Sequence, residues 1–176
     1  MFFDVFTTHL QSDENLTDIK MSQLNQLREF IVSKNNGIDP IIITGDFNIN
    51  ALDSVGDIYK KFVNTLFKDL HHFDTILKNR NRHIVTGGYG TGNLKLKDVA
   101  EKSYLIDGKA LDYIFIATKN QNIDSAQLEK MVKSSKVEPF VVDANTFSHV
   151  SDHYGVHSTI LFDRENIEIT TYKNCI

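Results

Sequence analysis

Four short clusters hold the residue types that could do chemistry: Thr8-His9-Leu10-Gln11, Gly45-Asp46-Phe47-Asn48, Leu111-Asp112-Tyr113-Ile114 and Ser151-Asp152-His153. Asp46 and Asn48 sit two apart directly after the β-branched run Ile41-Ile42-Ile43, so both side chains project to one face where a buried strand emerges. A carboxylate and a carboxamide held on such a rigid end can orient a water and grip a phosphate oxygen. Asp112 opens the apolar run Leu111 to Ala117, where a lone carboxylate is costly unless it is paired. His153 is the partner expected for it. A carboxylate on one imidazole nitrogen fixes the tautomer and raises basicity, and the other nitrogen then takes a proton from water. Asp152 offers its oxygen to a hard divalent cation, and His9 and Asn48 supply hydrogen bonds to non-bridging oxygens. Together these residues predict metal-assisted phosphoester hydrolysis.

Each residue also has a plainer reading. His9 at a strand end could be a hydrogen-bonded structural histidine, Asp46 and Asn48 could form a turn after Gly45, and Asp112 could cap a helix or sit on a sheet edge. His149, His153 and His157 are spaced four apart, which on a helix would build a zinc face. The alternation of Val156, Ser158, Ile160 and Phe162 argues for a strand instead, on which four residues extend roughly 13 Å and cannot share one ion. The stretch Gly87-Gly88-Tyr89-Gly90-Thr91-Gly92 lacks the Lys-Ser/Thr ending of a phosphate-binding P-loop and reads as a loop.

The elements that must position these groups follow from periodicity. A strand is expected from Phe2 to Leu10, then a helix capped by Thr17 with Met21, Leu24, Leu27 and Ile31 on its apolar face, stopped by Asn35-Asn36-Gly37. The Ile41 strand completes a βαβ-like order. Val55 to Leu70 reads as a second helix closed by His71-His72. Residues 79 to 110 read as a polar, glycine-punctuated loop or hairpin with a short strand at His83 to Thr86. Strands are expected at Leu111 to Ala117, Val137 to Val142 and Val156 to Phe162, with a short helix carrying Ile123, Leu128 and Met131 between the first two.

The chain has 176 residues, 41% of them hydrophobic, which suits one domain with a sizeable core. No stretch of about eighteen apolar residues is present to span a bilayer, and Met1-Phe2-Phe3-Asp4 does not open a signal peptide, so a cytoplasmic location is the default expectation. The net charge of −4 disfavours indiscriminate attraction to nucleic acid, and the single Cys175 allows no intrachain disulfide.

In this order the four motifs resemble the second half of the endonuclease/exonuclease/phosphatase superfamily, which includes DNase-type nucleases, inositol-polyphosphate phosphatases and neutral sphingomyelinases. The resemblance runs from residue 5 to 162, and Thr8-His9-Leu10-Gln11, Gln23-Leu24, Phe30-Ile31 and Ser151-Asp152-His153-Tyr154 look most like the neutral sphingomyelinase branch. It implies the C-terminal half of a DNase I-like four-layer α/β sandwich, as an N-terminally truncated domain over residues 1–163 with a polar tail at 164–176. It further implies His153 as general base, Asp112 as its orienting partner, Asp46 as a water-activating or leaving-group residue, and Asn48 and His9 as phosphate ligands. Asp152 and Asp46 then stand on the metal side, and Mg2+ is the cofactor. Members of the superfamily begin with a further half that bears an Asn and a metal-binding Glu, without counterpart here. The implied partners are sphingomyelin or a similar phospholipid and a second chain that completes the sheet. A nuclease of the same superfamily and a non-catalytic binding protein are the alternatives.

Overall fold

The computed structural model describes residues 2–52, 57–76, 86, 109–138 and 153–162. Strand β1 (Asp4–His9) leads through helix α1 (Thr17–Lys34) to β2 (Ile41–Asp46), followed by α2 (Ile58–Leu66), β3 (His71–Asp74) and β4 (Asp112–Thr118). Helix α3 (Ser125–Met131) runs straight into β5 (Val132–Glu138), and β6 (Gly155–Ile160) is the last element described.

The order β1-β2-β4-β3 makes a mixed four-stranded sheet, with β1 parallel to β2 and the other pairs antiparallel. The β1–α1–β2 crossover is the expected βαβ unit. Alternation along the strands divides the sheet's two faces. On one face Ile41, Ile43, Tyr113, Phe115 and Ala117 are fully buried with Leu24 and Ile31 of α1 and Phe62 and Leu66 of α2. On the other face Ile116 packs with Ile123, Leu128, Met131 and Val132, bringing α3 and the hairpin of β5 and β6 against the β3–β4 side. The Thr75 and Ser158 hydroxyls, 2.5 Å apart, join the main sheet to this second one. The described residues thus form the helix-on-sheet-on-sheet layering of an α/β sandwich, and none of their helices is long and apolar enough to cross a membrane.

Several boundaries differ from expectation, each for a local reason. Thr17 does not cap α1: it is the first helical residue, its hydroxyl donates back to the Glu14 carbonyl, and Leu16 at the cap position has no side-chain bond to offer. The stop signal holds, with Asn35 at the C-terminal end and Gly37 at a φ of 82°. The second helix ends at Leu66 rather than Leu70, because Asp69 takes a φ of 68° and turns the chain. His71-His72 therefore begin a strand instead of closing a helix. That strand is too polar to read from pattern and exists through pairing with β4, while His72 stacks on Phe67 at 4.2 Å. The strand expected to begin at Val137 begins earlier, at Val132, since Ser135 and Ser158 share a hydroxyl contact of 2.9 Å that lets polar residues face inward. Residues 139–142, the glycine-rich stretch at 87–92, the polar tail and all but Thr86 of the strand expected at His83 to Thr86 lie outside the described residues.

Candidate active site

Sheet register brings the motif residues together. His9 ends β1 opposite Asp46, which ends β2, and Asp46 in turn lies opposite Asp112, the first residue of β4. Neighbours at one register level point to the same face, so three adjacent strands deliver an imidazole and two carboxylates to one spot. His153 arrives from the other sheet, just before β6. Its Nδ1 lies 2.9 Å from Asp112 Oδ2, the hydrogen-bonded pair expected from sequence. Its Nε2 is directed at Asp46, 3.8 Å from Oδ2, and the more exposed His9 reaches the same oxygen at 3.6 Å through Nε2. Both separations are too long for direct hydrogen bonds, but short enough for one water oxygen to bridge them.

Asp46 is braced for this position. Its Oδ1 accepts the Asn48 N–H at 2.8 Å, which closes a tight turn with Asn48 at a φ of 50°. Asn tolerates that left-handed conformation better than most residues. The Asn48 carboxamide donates to the Leu10 carbonyl at 3.0 Å, tying the end of β2 to the end of β1. Burial is the main influence raising the Asp46 carboxyl pKa, with the Asp112 charge adding to it, while the Asn48 N–H and the imidazoles of His153 and His9 act in the opposite sense.

Two supports escaped the sequence reading. Lys20 is buried with 4% exposure, and its ammonium donates to the Asn48 carbonyl at 2.9 Å. The available signal was its place on the apolar side of α1, four residues before Leu24. Thr86 is wholly buried and bonded to the chain beside both Asp112 and His153. A lone threonine in a polar stretch carried no signal at all. Gly45 was read only as a strand boundary, yet at a φ of 139° it lies so close to β1 that no side chain fits.

Of the residues expected in the site, His9, Asp46, Asn48, Asp112 and His153 are thus assembled, and Asp152 lies outside the described residues. Ligand atoms of Asp46, Asp112 and His153 fall within 4.8 Å of one another. Asp112 is engaged with His153, so Asp46 Oδ2 is the described carboxylate oxygen best placed for a cation. A single carboxylate fits Mg2+, which keeps several of its waters and needs only one or two protein carboxylates.

No family model matches the chain. A curated sphingomyelinase of Dictyostelium discoideum is 28% identical in an alignment covering 91% of this chain and 50% of that protein. Among solved structures, SmcL superposes with a TM-score of 0.56 at 24% identity, covering 85% of this chain and 50% of its own. A Danio rerio TDP2 complexed with a single-strand DNA product gives 0.57 at 14% identity, over 89% and 55%. A Staphylococcus aureus beta toxin mutant with bound magnesium ions gives 0.55 at 18%, over 88% and 52%. The chain spans about half the length of each. With its sheet order and these likenesses, the chain has the fold that SmcL, TDP2 and beta toxin share, a DNase I-like α/β sandwich, and is similar in sequence to a sphingomyelinase.

Proposed function

We propose that this chain carries the general-base half of a Mg2+-dependent phosphodiester hydrolase acting on sphingomyelin or a similar phospholipid. The observation that carries the reading is the Asp112–His153 pair at 2.9 Å with His153 Nε2 directed at Asp46. Asp112 holds the Nδ1 proton, so Nε2 accepts a proton from a water that sits beside the His153–Asp46 pair and hydrogen-bonds to both. That water's oxygen bonds to phosphorus and the bond to the leaving alcohol oxygen breaks; the departing alkoxide takes a proton from solvent, and protonated His153 returns its proton to solvent. The products are a phosphomonoester and an alcohol. Asn48 and His9 hydrogen-bond the non-bridging oxygens. Asp46 and, from the sequence motif, Asp152 would hold Mg2+, which when bound neutralises phosphoryl charge and lowers the pKa of water. The likeness to a sphingomyelinase favours a phospholipid substrate, and the net charge of −4 agrees with a substrate other than a polyanion. The likeness to TDP2 keeps single-stranded DNA as the second reading.

Because the chain spans about half of its relatives, the assay pairs it with the separately expressed N-terminal half of a sphingomyelinase. Such a half is the second chain that would complete the sheet. Sphingomyelin vesicles and single-stranded DNA are offered in parallel with Mg2+ or EDTA. The expected result is phosphocholine release that needs the added half and Mg2+. Loss of about 10²- to 10⁴-fold on His153→Ala is expected as well, the range for a general base. DNA cleavage alone transfers the assignment to a nuclease, and activity untouched by His153→Ala overturns the mechanism.

A further inference from the structure

The pair at the centre of the site spans two sheets. Asp112 begins β4 of the main sheet, and His153 precedes β6 of the smaller one, 41 residues on. An orienting carboxylate is useful only if the imidazole plane meets it in line, and two independently packed strands do not guarantee that. Thr86, wholly buried, stands between the two segments. Its hydroxyl oxygen accepts two backbone N–H groups, from Leu111 at 2.9 Å and from Asp112 itself at 3.0 Å. Its own N–H donates to the Lys109 carbonyl at 2.8 Å. On the other side its carbonyl accepts the N–H of Tyr154, the residue after His153, at 2.7 Å.

One residue therefore ties down the backbone of one member of the pair with its hydroxyl and the neighbour of the other with its carbonyl. We infer that Thr86 is a positioning residue that sets the distance and angle between Asp112 and His153. It touches neither substrate nor the reacting atoms. It acts by fixing the two backbones from which the carboxylate and imidazole project. The inference rests on the proposed reading for its catalytic consequence, but its geometric content stands apart from it. Both acceptor sites belong to the hydroxyl, so valine, which keeps the shape, leaves two buried N–H groups without a partner, whereas serine keeps the oxygen.

The test compares the full chain with Thr86→Val and Thr86→Ser in 15N-resolved NMR of the His153 ring. The pH is raised until the ring 15N shifts no longer change, so that the spectrum reports the neutral tautomers alone. In the parent the ring proton should reside on Nδ1, where Asp112 accepts it. Thr86→Val should shift the ring towards the tautomer mixture given by Asp112→Asn, and Thr86→Ser should keep the parent spectrum. In the complemented phospholipid assay Thr86→Val should lower kcat about 10- to 100-fold with KM unchanged, as loss of a residue that orients a ligand does at metal centres, and Thr86→Ser should restore it. A Thr86→Val protein with the parent tautomer and kcat and only a lower Tm overturns the inference. If Thr86→Val does not fold, amide exchange in the parent decides. The Leu111, Asp112 and Tyr154 N–H groups should open together, and fast independent exchange of Tyr154 refutes the tie. Should no preparation hydrolyse a phosphodiester while the tautomer responds as stated, the functional reading fails and the positioning role stands.

Discussion

Replacing Gly45 by alanine should be among the most damaging single-methyl changes in this chain. A Cβ at position 45 would lie 1.9 Å from the Thr8 carbonyl oxygen, 2.9 Å from its carbon and 3.0 Å from its nitrogen. All three atoms are backbone of β1, so no rotamer relieves the overlap. Restoring an ordinary carbon–oxygen contact of about 3.3 Å from 1.9 Å requires β1 to retreat by roughly 1.4 Å, which breaks the local β1–β2 ladder. Two lost backbone bonds cost about 1 kcal/mol each, and a non-glycine residue at a φ of 139° adds about 1–3 kcal/mol. The sum of about 3–5 kcal/mol is a large part of the roughly 5–15 kcal/mol that holds a domain folded. The chain has no Trp, so urea unfolding followed by far-UV circular dichroism is the appropriate assay. A midpoint showing less than about 1 kcal/mol of loss, with an unchanged slope, would refute the argument that the β1–β2 contact leaves no room.

Other expectations follow from the site and its surroundings. Asp112→Asn and His153→Ala should each remove most of the hydrolysis seen in the complemented assay, and the double variant should lose little more, because the two residues act as a unit. Asp46→Asn should abolish activity yet stabilise the fold at neutral pH. The folded Asp46 carboxyl pKa is raised by burial above its unfolded value, so its contribution to stability is present below the unfolded pKa and lost as pH rises through the folded one. Parallel denaturation of both proteins across the acid range checks this, and equal stability at pH 7 would count against it. His72, stacked on Phe67, has its pKa lowered by burial, so stability should fall as pH drops below the ordinary histidine value of about 6.5, and His72→Gln should flatten that slope. A Tm profile of both proteins between pH 7 and pH 5 is the measurement.

The sequence made legible those elements whose reason is local. Ile41-Ile42-Ile43 reads as a buried strand because a run of four β-branched residues, Thr44 included, between Pro40 and Gly45 suits a short strand, and the apolar face of α1 lies where its periodicity puts it. The need of Asp112 for a partner was likewise visible, since a carboxylate heading an apolar run must be paired, and His153 supplies the pairing. What stayed hidden depends on tertiary context. His71-His72-Phe73-Asp74 is a strand only because β4 offers it a ladder, and Val132–Glu138 looks polar because its inward serine is answered by another serine across the hairpin. Thr86 and Lys20 belong to the same class. Their importance lies in backbone groups contributed by residues far away in the chain, and side-chain type alone does not announce it.

Phe47 stands between Asp46 and Asn48 but points the other way, wholly buried against Phe62, Tyr113 and Phe115 at centroid distances of 5.0, 5.6 and 6.0 Å. Three consecutive residues are thereby placed under different selective regimes. Position 48 is open to drift in specificity, since Asp or Gly could take its backbone conformation while altering what is bound. Position 47 is closed to such drift, because any cavity there is inherited by the core of the whole domain. A lineage exploring new substrates from this scaffold would change residues 9 and 48 while holding 47 constant. In a saturation library sorted separately for abundance and for turnover, the same contrast would emerge: variants at 47 fail both sorts, whereas Asp or Gly at 48 fails only the second.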